Sequence, residues 1–582
     1  MYHENMPKRT FTAMHVATTR RTYKDRVYES HLLRRTYRED GKVKHQTLAN
    51  LSHLPSEAIE AVRRVLSGER LIADTDAISI TRSLPHGDGA AVLAMARRLG
   101  FDTLLGPPGQ ARNTALGLII AQVLSPQSKA CSATWFADTT FGVDLGLTGL
   151  HTDVLYDAMD YLLANKERIE KALIARHLGN DSYVYYDLSS SWVEGTKNEL
   201  AAFGYSRDGK RGKRQVEYGV IATSAGLGLA VEIFAGNTSD PASFIEVAQG
   251  AKDRFGLDHV VFVSDRGMIT SARIDALKQA SGFGWVTAVR APQIKELLVS
   301  GAIQPTLFDQ VNLVEITCPE YPGERLVACR NPFLAASRSR KRQELLAATE
   351  QDLDKIVTSV NDRRLRAAEK IGLRAGKVLG RHKMAKHFDI QIAQDHFSYA
   401  RKTESIEAEA SLDGIYVIRT SEPVDVLSPQ GAVATYKSLA NIERNFRSMK
   451  TVDVNIRPIR HRLADRVRAH AFICLLAAHL VWHLRKAWAP LTFTDTQPPV
   501  RTDPVTPAKR SQSADIKCAA RYRPDGQELR PFQGLLDHLA TLTRNTCTVP
   551  GTSTTFDLLS EPTPTQKEAF ELINTTIPLH LT

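Results

Sequence analysis

A chain of 582 residues with 43% hydrophobic and 24% charged residues is too long for one core and too apolar to be disordered, so several folded domains are expected. The net charge of +11 is modest, but residues 1–50 hold eleven Lys/Arg against five Asp/Glu, which suits a polyanionic partner such as nucleic acid better than a merely solvated arm. Six scattered cysteines without a C-x-x-C pair argue against a zinc site or a disulfide framework, and the absence of an apolar leader argues against secretion.

In chain order, Val27–Arg38 and Lys42–Leu51 read as two strands around an Asp40-Gly41 hairpin turn, carrying Arg34, Arg35, Arg38, Lys42, Lys44 and His45. A helix follows from Ser56 with Gly68 as its stop. Residues 1–70 thus form a basic hairpin plus helix, and 71–180 a mostly helical region punctuated by Gly100, Gly106-Pro107-Pro108-Gly109 and Pro126. Both are expected to bind DNA.

The texture changes at residue 181. Tyr183–Asp187, Glu217–Thr223 and Leu227–Ala235 read as strands, Pro241–Phe255 as a helix, His259–Ser264 as a buried strand, Ser271–Ala280 as a helix and Trp285–Val289 as a strand. This βββαβαβ order over 181–290 predicts a mixed five-stranded sheet flanked by helices, an α/β fold. Residues 291–430 read as an α+β insertion, with strands at Leu313–Thr317, Arg325–Cys329, Phe388–Ala393 and Ile415–Arg419 and a charged helical run Ser337–Ile371. Within that run Leu346, Leu353, Ile356 and Val360 share one face, the spacing of plain packing rather than of a dimer seam. Over 431–490 two helices are expected, Tyr436–Met449 and Leu463–Trp488. The second contains the most apolar stretch, Ala469–Leu484, which is too short to cross a bilayer and reads as buried. Residues 491–582, rich in Pro, Thr and Asp, read as a linker with short helices at Phe532–Leu542 and Thr565–Leu572, available for oligomerisation.

Metal-assisted phosphodiester chemistry needs carboxylates that converge from separate segments, because hard cations take oxygen ligands. Three acids are so placed: Asp187 closing Y-V-Y-Y-D, Asp265 following the buried strand in V-V-F-V-S-D-R-G, and Glu443 within a late helix. Taken singly, an acid after a strand serves solubility or capping as often as catalysis. Of the competitors, Asp181 precedes its strand, Glu232 alternates with Val231 and Ile233 and so points to solvent, Asp240 suits a helix N-cap, and Glu194 is an outside candidate.

The run Thr435–Lys450, T-Y-K-S-L-A-N-I-E-R-N-F-R-S-M-K, resembles the signature of DDE transposases of the insertion-sequence-four superfamily. That signature is Tyr, two residues, Arg, three residues, Glu, six residues, Lys. Tyr436, Glu443 and Lys450 hold its spacing, and Leu439 stands where the family has Arg. Further blocks resemble one branch of that superfamily in the same order: H-V-A-T-T with R-E-D-G-K, D-L-S-S-S-W-V-E-G, G-N-T-S-D-P, S-D-R-G-M and R-P-I-R-H-R. The residues before His15 have no counterpart there, Met6 and Met14 being alternative starts.

The resemblance implies an RNase H-like catalytic fold with an insertion between its last strand and the Glu helix. It implies that Asp187, Asp265 and Glu443 hold two Mg2+ ions, with Mn2+ able to substitute, for DNA cleavage and strand transfer. On one continuous helix Tyr436 and Lys450, seven residues either side of Glu443, would share its face, and Lys450 would meet a phosphate rather than snorkel at the surface. Arg444 or Arg447 is the expected substitute for the missing Arg, and Trp192 and Trp285 suit buried packing better than stacking on a flipped base.

The implied partners are the terminal inverted repeats and a target DNA, met by a homodimer in a synaptic complex in the bacterial cytoplasm, with neither membrane nor small-molecule substrate. The alternatives are a catalytically inactive, transposase-derived DNA-binding protein and an RNase H-like nuclease that does not transpose.

Overall fold

The computed structural model describes residues 14–24, 26–39, 42–69, 78–178, 181–204, 206–238, 249–250, 252, 256, 259–266, 269, 271–501, 503–523, 525–550 and 552–581. Two units separate, Met1–Ser83 with Asn545–Leu558, and Leu84–Arg544 with Leu559–Thr582.

The first unit opens with a three-stranded antiparallel sheet, not the two-stranded hairpin expected. Strands β1 (Met14–Tyr23), β2 (Arg26–Glu39) and β3 (Lys42–Asn50) lie in that order. β1 pairs with β2 from Met14↔Arg35 to Tyr23↔Arg26. Its residues M-H-V-A-T-T-R-R-T-Y are nearly all exposed, so no apolar face announces the strand in the sequence. Pairing of Glu39 with Lys42 brackets Asp40 and Gly41, which lie outside the described residues. The helix Ser56–Leu66 packs on β1, and Gly68, at φ 95°, stops it. β4 (Ser79–Pro85) belongs to a second small sheet completed from the C-terminal region.

In the second unit, helices including Gly87–Arg98, Gln110–Leu124, Thr152–Ala164 and Lys166–His177 precede the main sheet. Its strands are β5 (Asp181–Trp192), β6 (Gln215–Ala222), β7 (Gly228–Ala235), β8 (His259–Val263) and β9 (Phe283–Ala288), with the helix Ser271–Gln279 before β9. The helix expected over 241–255 falls almost wholly outside the described residues. The chain continues through β10 (Leu313–Ile316), β11 (Arg325–Arg330), the helices Pro332–Asn361 and Ala368–His382, the hairpin β12 (Phe388–Ala393) and β13 (His396–Arg401), and β14 (Ile415–Thr420).

The sheet has eight strands, in the order β10-β11-β14-β9-β8-β5-β6-β7, rather than five. Only the β5–β8 and β8–β9 pairs are parallel. β9 is buried at all six positions, so its free edge would strand buried backbone donors and acceptors. β14 satisfies that edge antiparallel, with Ile418 opposite Ala288, and β11 and β10 continue outward. Three strands of the expected insertion therefore extend the main sheet. Its helical remainder keeps a separate core in which Leu346, Leu353, Ile356 and Val360 meet Ile371, Leu379, Phe388 and Phe397.

The single helix expected over Tyr436–Met449 is broken into Pro429–Lys437, Leu439–Arg447 and a π-helical turn, Ser448–Val452. The helix Ala464–Ala487 follows. It is buried at every position over Ala469–Val481, contacts β7, Gln110–Leu124 and Thr152–Ala164, and has 83% of its most apolar window buried, as a core helix does.

The C-terminal stretch is folded rather than a linker. The helices Gln512–Ala520 and Phe532–Ala540 precede, and Pro564–Leu572 follows, β15 (Thr543–Thr548) and β16 (Thr555–Leu559), which join β4 in the order β16-β15-β4. Its prolines start helices: Pro531 precedes Phe532, and Pro564 follows Thr563, whose side chain caps the backbone N–H of Gln566. Trp488 Nε1 donates to the Ala569 carbonyl at 2.9 Å, and the buried Arg544 pairs with Asp144 at 2.7 Å.

Candidate active site

The β5–β8 ladder ends at Tyr185↔Val263. Asp187 and Asp265 each lie two residues past that pair, so both sit at one level just beyond the C-terminal end of the parallel pairing, where α/β sheets hold their ligands. Asp187 does not close its strand as expected. β5 runs on to Trp192 paired with β6, with Asp187 opposite Val220.

Glu443 comes to these two acids on the helix Leu439–Arg447, which packs on β5. Ile442 and Phe446 form the helix's buried side, Phe446 lying 5.9 Å from the Tyr218 ring between centroids, while Glu443 itself is exposed. The β6–β7 turn fixes the start of the helix. Asn441 Nδ2 donates to the Ser224 carbonyl at 2.8 Å, and Gly226, at φ 81°, has no room for a Cβ, which would stand 2.5 Å from the Asn441 carbonyl oxygen.

The three carboxylates share one electrostatic neighbourhood. Burial pushes the Asp187 carboxyl up to about 6, with Asp265 and Glu443 adding to the rise and Arg207 and the Leu188 N–H opposing it. Asp265 accepts from its neighbour's Arg266 N–H at 2.7 Å and from the Tyr436 hydroxyl at 3.2 Å. Burial, then the adjacent Asp265, raises the Tyr436 phenol. Anionic oxygen donors held together against their repulsion suit hard divalent cations, which relieve that repulsion.

The signature residues divide. Tyr436 faces Asp265 from the preceding helix, and Leu439 packs partly buried against the core. Lys450 lies beyond the α-helix of Glu443, in the π-helical turn. Its ammonium makes a 2.8 Å ion pair with the buried Asp208, which Arg457 also contacts. Arg444 and Arg447 are exposed, and both border a cavity of about 260 Å³ with Gly226, Asp453 and Arg485. Arg447, one turn from Glu443, stays nearer its face than Arg444.

Trp285 is buried and donates to Glu324 at 3.2 Å, while half-buried Trp192 lies between Arg457 and Lys210, 5.0 and 5.3 Å from its ring. Of the competing acids, Glu232 is ion-paired with Lys166 rather than turned to solvent, and Glu194 pairs with Lys213. Asp240 lies outside the described residues, and the Asp181 side chain is not described.

The sequence reading missed the β5–β6 connection. Exposed Arg207, Lys210, Arg211, Lys213 and Arg214 crowd into eight residues, and Arg207 donates to the Leu188 carbonyl beside Asp187. Five cations against the single Asp208 were the signal.

In the first unit, cross-strand partners share a face. Arg35, Lys42 and Lys44 therefore occupy one side of the sheet, and Arg34 and Arg38 the other.

A model of the transposase DDE domain matches residues 192–480, and one of the IS1634 family transposase N-terminal domain matches residues 16–75. The chain is an insertion-sequence DDE transposase. The DDE match contains Asp265 and Glu443 and begins five residues after Asp187. A transposase of this kind is a metal-dependent enzyme that binds, cuts and joins DNA, so the reading as a catalytically silent DNA-binding protein is not favoured. No curated relative matches the chain.

Solved structures that overlap the transposase include two other transposases. The piggyBac transposase synaptic complex with hairpin DNA is 8% identical, covers 75% of this chain and 71% of its own, and has a TM-score of 0.34. The Mos1 transposase paired-end complex with the left transposon end is 13% identical, covers 42% of this chain and 70% of its own, and has a TM-score of 0.14.

Proposed function

We propose that Asp187, Asp265 and Glu443 are the catalytic acids of an RNase H-like core of the insertion-sequence-four type, acting with two Mg2+ ions on the ends of the element. The observation that carries this reading is the common level of Asp187 and Asp265 just past the parallel β5–β8 pairing, with the Glu443 helix docked on β5. The ions, when bound, supply Lewis-acid stabilisation of the attacking and leaving oxygens. The chain's own residues do the rest. Asp187, ionised above about pH 6, completes the donor set, and the Tyr436 hydroxyl orients Asp265. Arg207 and Arg266, exposed beside the first two acids, offer charge to the scissile phosphate where Leu439 cannot. Lys450 holds the Arg207–Arg214 connection through Asp208.

End recognition is assigned to β1–β3 and the helical region 84–177, acting in a homodimer that pairs two ends in the bacterial nucleoid. Cations on both faces of β2 and β3 let that end of the sheet enter a groove with a phosphate backbone on each side.

The test is cleavage and strand transfer on a DNA end in Mg2+ with D187N, D265N and E443Q. Each is expected to lose about a thousandfold or more in rate, by analogy with removing a transition-state charge stabiliser of several kcal/mol, while binding the end as before. Any one variant retaining a tenth of the activity overturns the assignment of that acid.

A further inference from the structure

Away from the carboxylates, three histidines meet. His177 ends the helix Lys166–His177, and His479 and His483 stand one turn apart on the core helix Ala464–Ala487. One ligand atom from each lies within 4.8 Å of the others, and the ring centroids are 5.0, 5.4 and 6.0 Å apart. Zinc with imidazole nitrogens about 2.0–2.1 Å away needs them roughly 3.3 Å from each other, within reach of small side-chain rotations.

The chemistry of the rings fits a metal better than packing alone. His479 Nδ1 lies 3.3 Å from the Gly228 carbonyl, which only accepts, so Nδ1 carries the proton and the Nε2 lone pair is free; ligating histidines are oriented in this way. His483 Nε2 is buried without a hydrogen-bond partner. Burial holds His479 down to about 3 and His483 to about 4, and lowers His177, so the rings are neutral at pH 7 and no proton has to be displaced. The charged groups acting on the trio are Arg98, Arg176 and Lys486. With imidazole nitrogens and no carboxylate among the donors, the set disfavours Mg2+ and suits zinc.

We infer that His177, His479 and His483 bind one Zn2+ ion, with water in the fourth position, and that this ion pins the end of the Lys166–His177 helix to the core helix. The first of these helices leads into β5 and Asp187, and the second follows the Glu443 segment. The ion therefore ties together the parts of the chain that deliver the first and third acids. The scattered cysteines gave no hint of it, since its ligands are histidines separated by some three hundred positions.

The test uses the full-length chain carrying D187N, D265N and E443Q together, so that the carboxylates cannot supply the binding. Stripped with a chelator and titrated with Zn2+ alone, it is expected to take up one equivalent and to unfold at least 5 °C higher. H177Q and H483Q added to this background are expected to weaken zinc binding a hundredfold or more, with the zinc-free unfolding midpoint unchanged. X-ray absorption on the zinc-loaded parent, which needs no histidine variant to fold, is expected to count three imidazoles. No bound equivalent, unchanged affinity in both histidine variants, or fewer than two imidazoles overturns the site, and none of these results touches the assignment of the acids.

Discussion

β6 is buried at all eight of its positions, whereas β3 is exposed at all nine. The main sheet carries its densest run of cations in a connection, Arg207–Arg214, so β6 itself is free to be core. The β1–β3 sheet carries its cations on the strands and leaves Val27, Tyr28 and Val43 more than half exposed. The difference separates two ways of being a sheet: one is stabilised by apolar burial, the other leaves its cations and apolar side chains open to solvent, at the cost of a core of its own.

If that contrast is right, stability and DNA affinity are lost in different places. The largest expected effect is on binding. Replacing Arg34, Arg35, Arg38, Lys42 and Lys44 by Gln is expected to weaken binding to the terminal repeat about a thousandfold at 0.2 M salt and to flatten the log–log salt slope by about 4 to 5. The unfolding midpoint is expected to stay put. An unchanged slope in a binding titration would move end recognition elsewhere.

Next comes Lys450, which sits in the main-sheet unit and belongs on the stability side. K450M leaves Asp208 buried with Arg457 as its remaining ion-pair partner, a loss of about 3 kcal/mol in denaturant unfolding, and D208N in the same chain is expected to restore most of it. A lysine used mainly for phosphate contact gives the reverse, normal stability and lost cleavage.

Asp187 sharpens the comparison through pH. Its carboxyl is raised to about 6 in the folded protein, so the folded state holds the proton more tightly than the unfolded chain does. The resulting destabilisation sets in as pH rises from about 4 to about 6 and is complete above that. D187N is therefore expected to stabilise the metal-free protein by about 2 kcal/mol at pH 8, allowing for partial solvation, and by almost nothing at pH 4. A stabilisation independent of pH would show that charge burial is not its source.

The smallest effect separates two neighbours. R447A, near the Glu443 face, is expected to slow cleavage about tenfold, and R444A less than threefold, with the ordering checked by single-turnover rates. Equal losses would mean that the shared cavity, not proximity to Glu443, governs both residues.

Much of the main sheet was legible because its strands are short apolar runs with sharp ends. H-V-V-F-V before Ser264-Asp265 has one comfortable reading. β1 was not legible, because an exposed strand has no apolar period. The C-terminal helices were legible only in part: Leu535, Leu536 and Leu539 mark one buried face, but the surrounding prolines suggested a linker when they open helices. The break after Arg447 was invisible, since nothing in S-M-K-T-V forbids an α-helix and only the fold shows the π-helical turn with Met449 fully buried in it.

The sequence by itself singled out Asp187, Asp265 and Glu443 as the proposed catalytic acids, because the chemistry needs particular residue types beside recognisable elements. Tertiary structure alone decided that the sheet has eight strands, that Lys450 serves Asp208, and that His177 meets His479 and His483. Each of these depends on which distant segment satisfies a buried edge, a buried charge or a buried nitrogen, and that choice is made by packing, on which local sequence is silent.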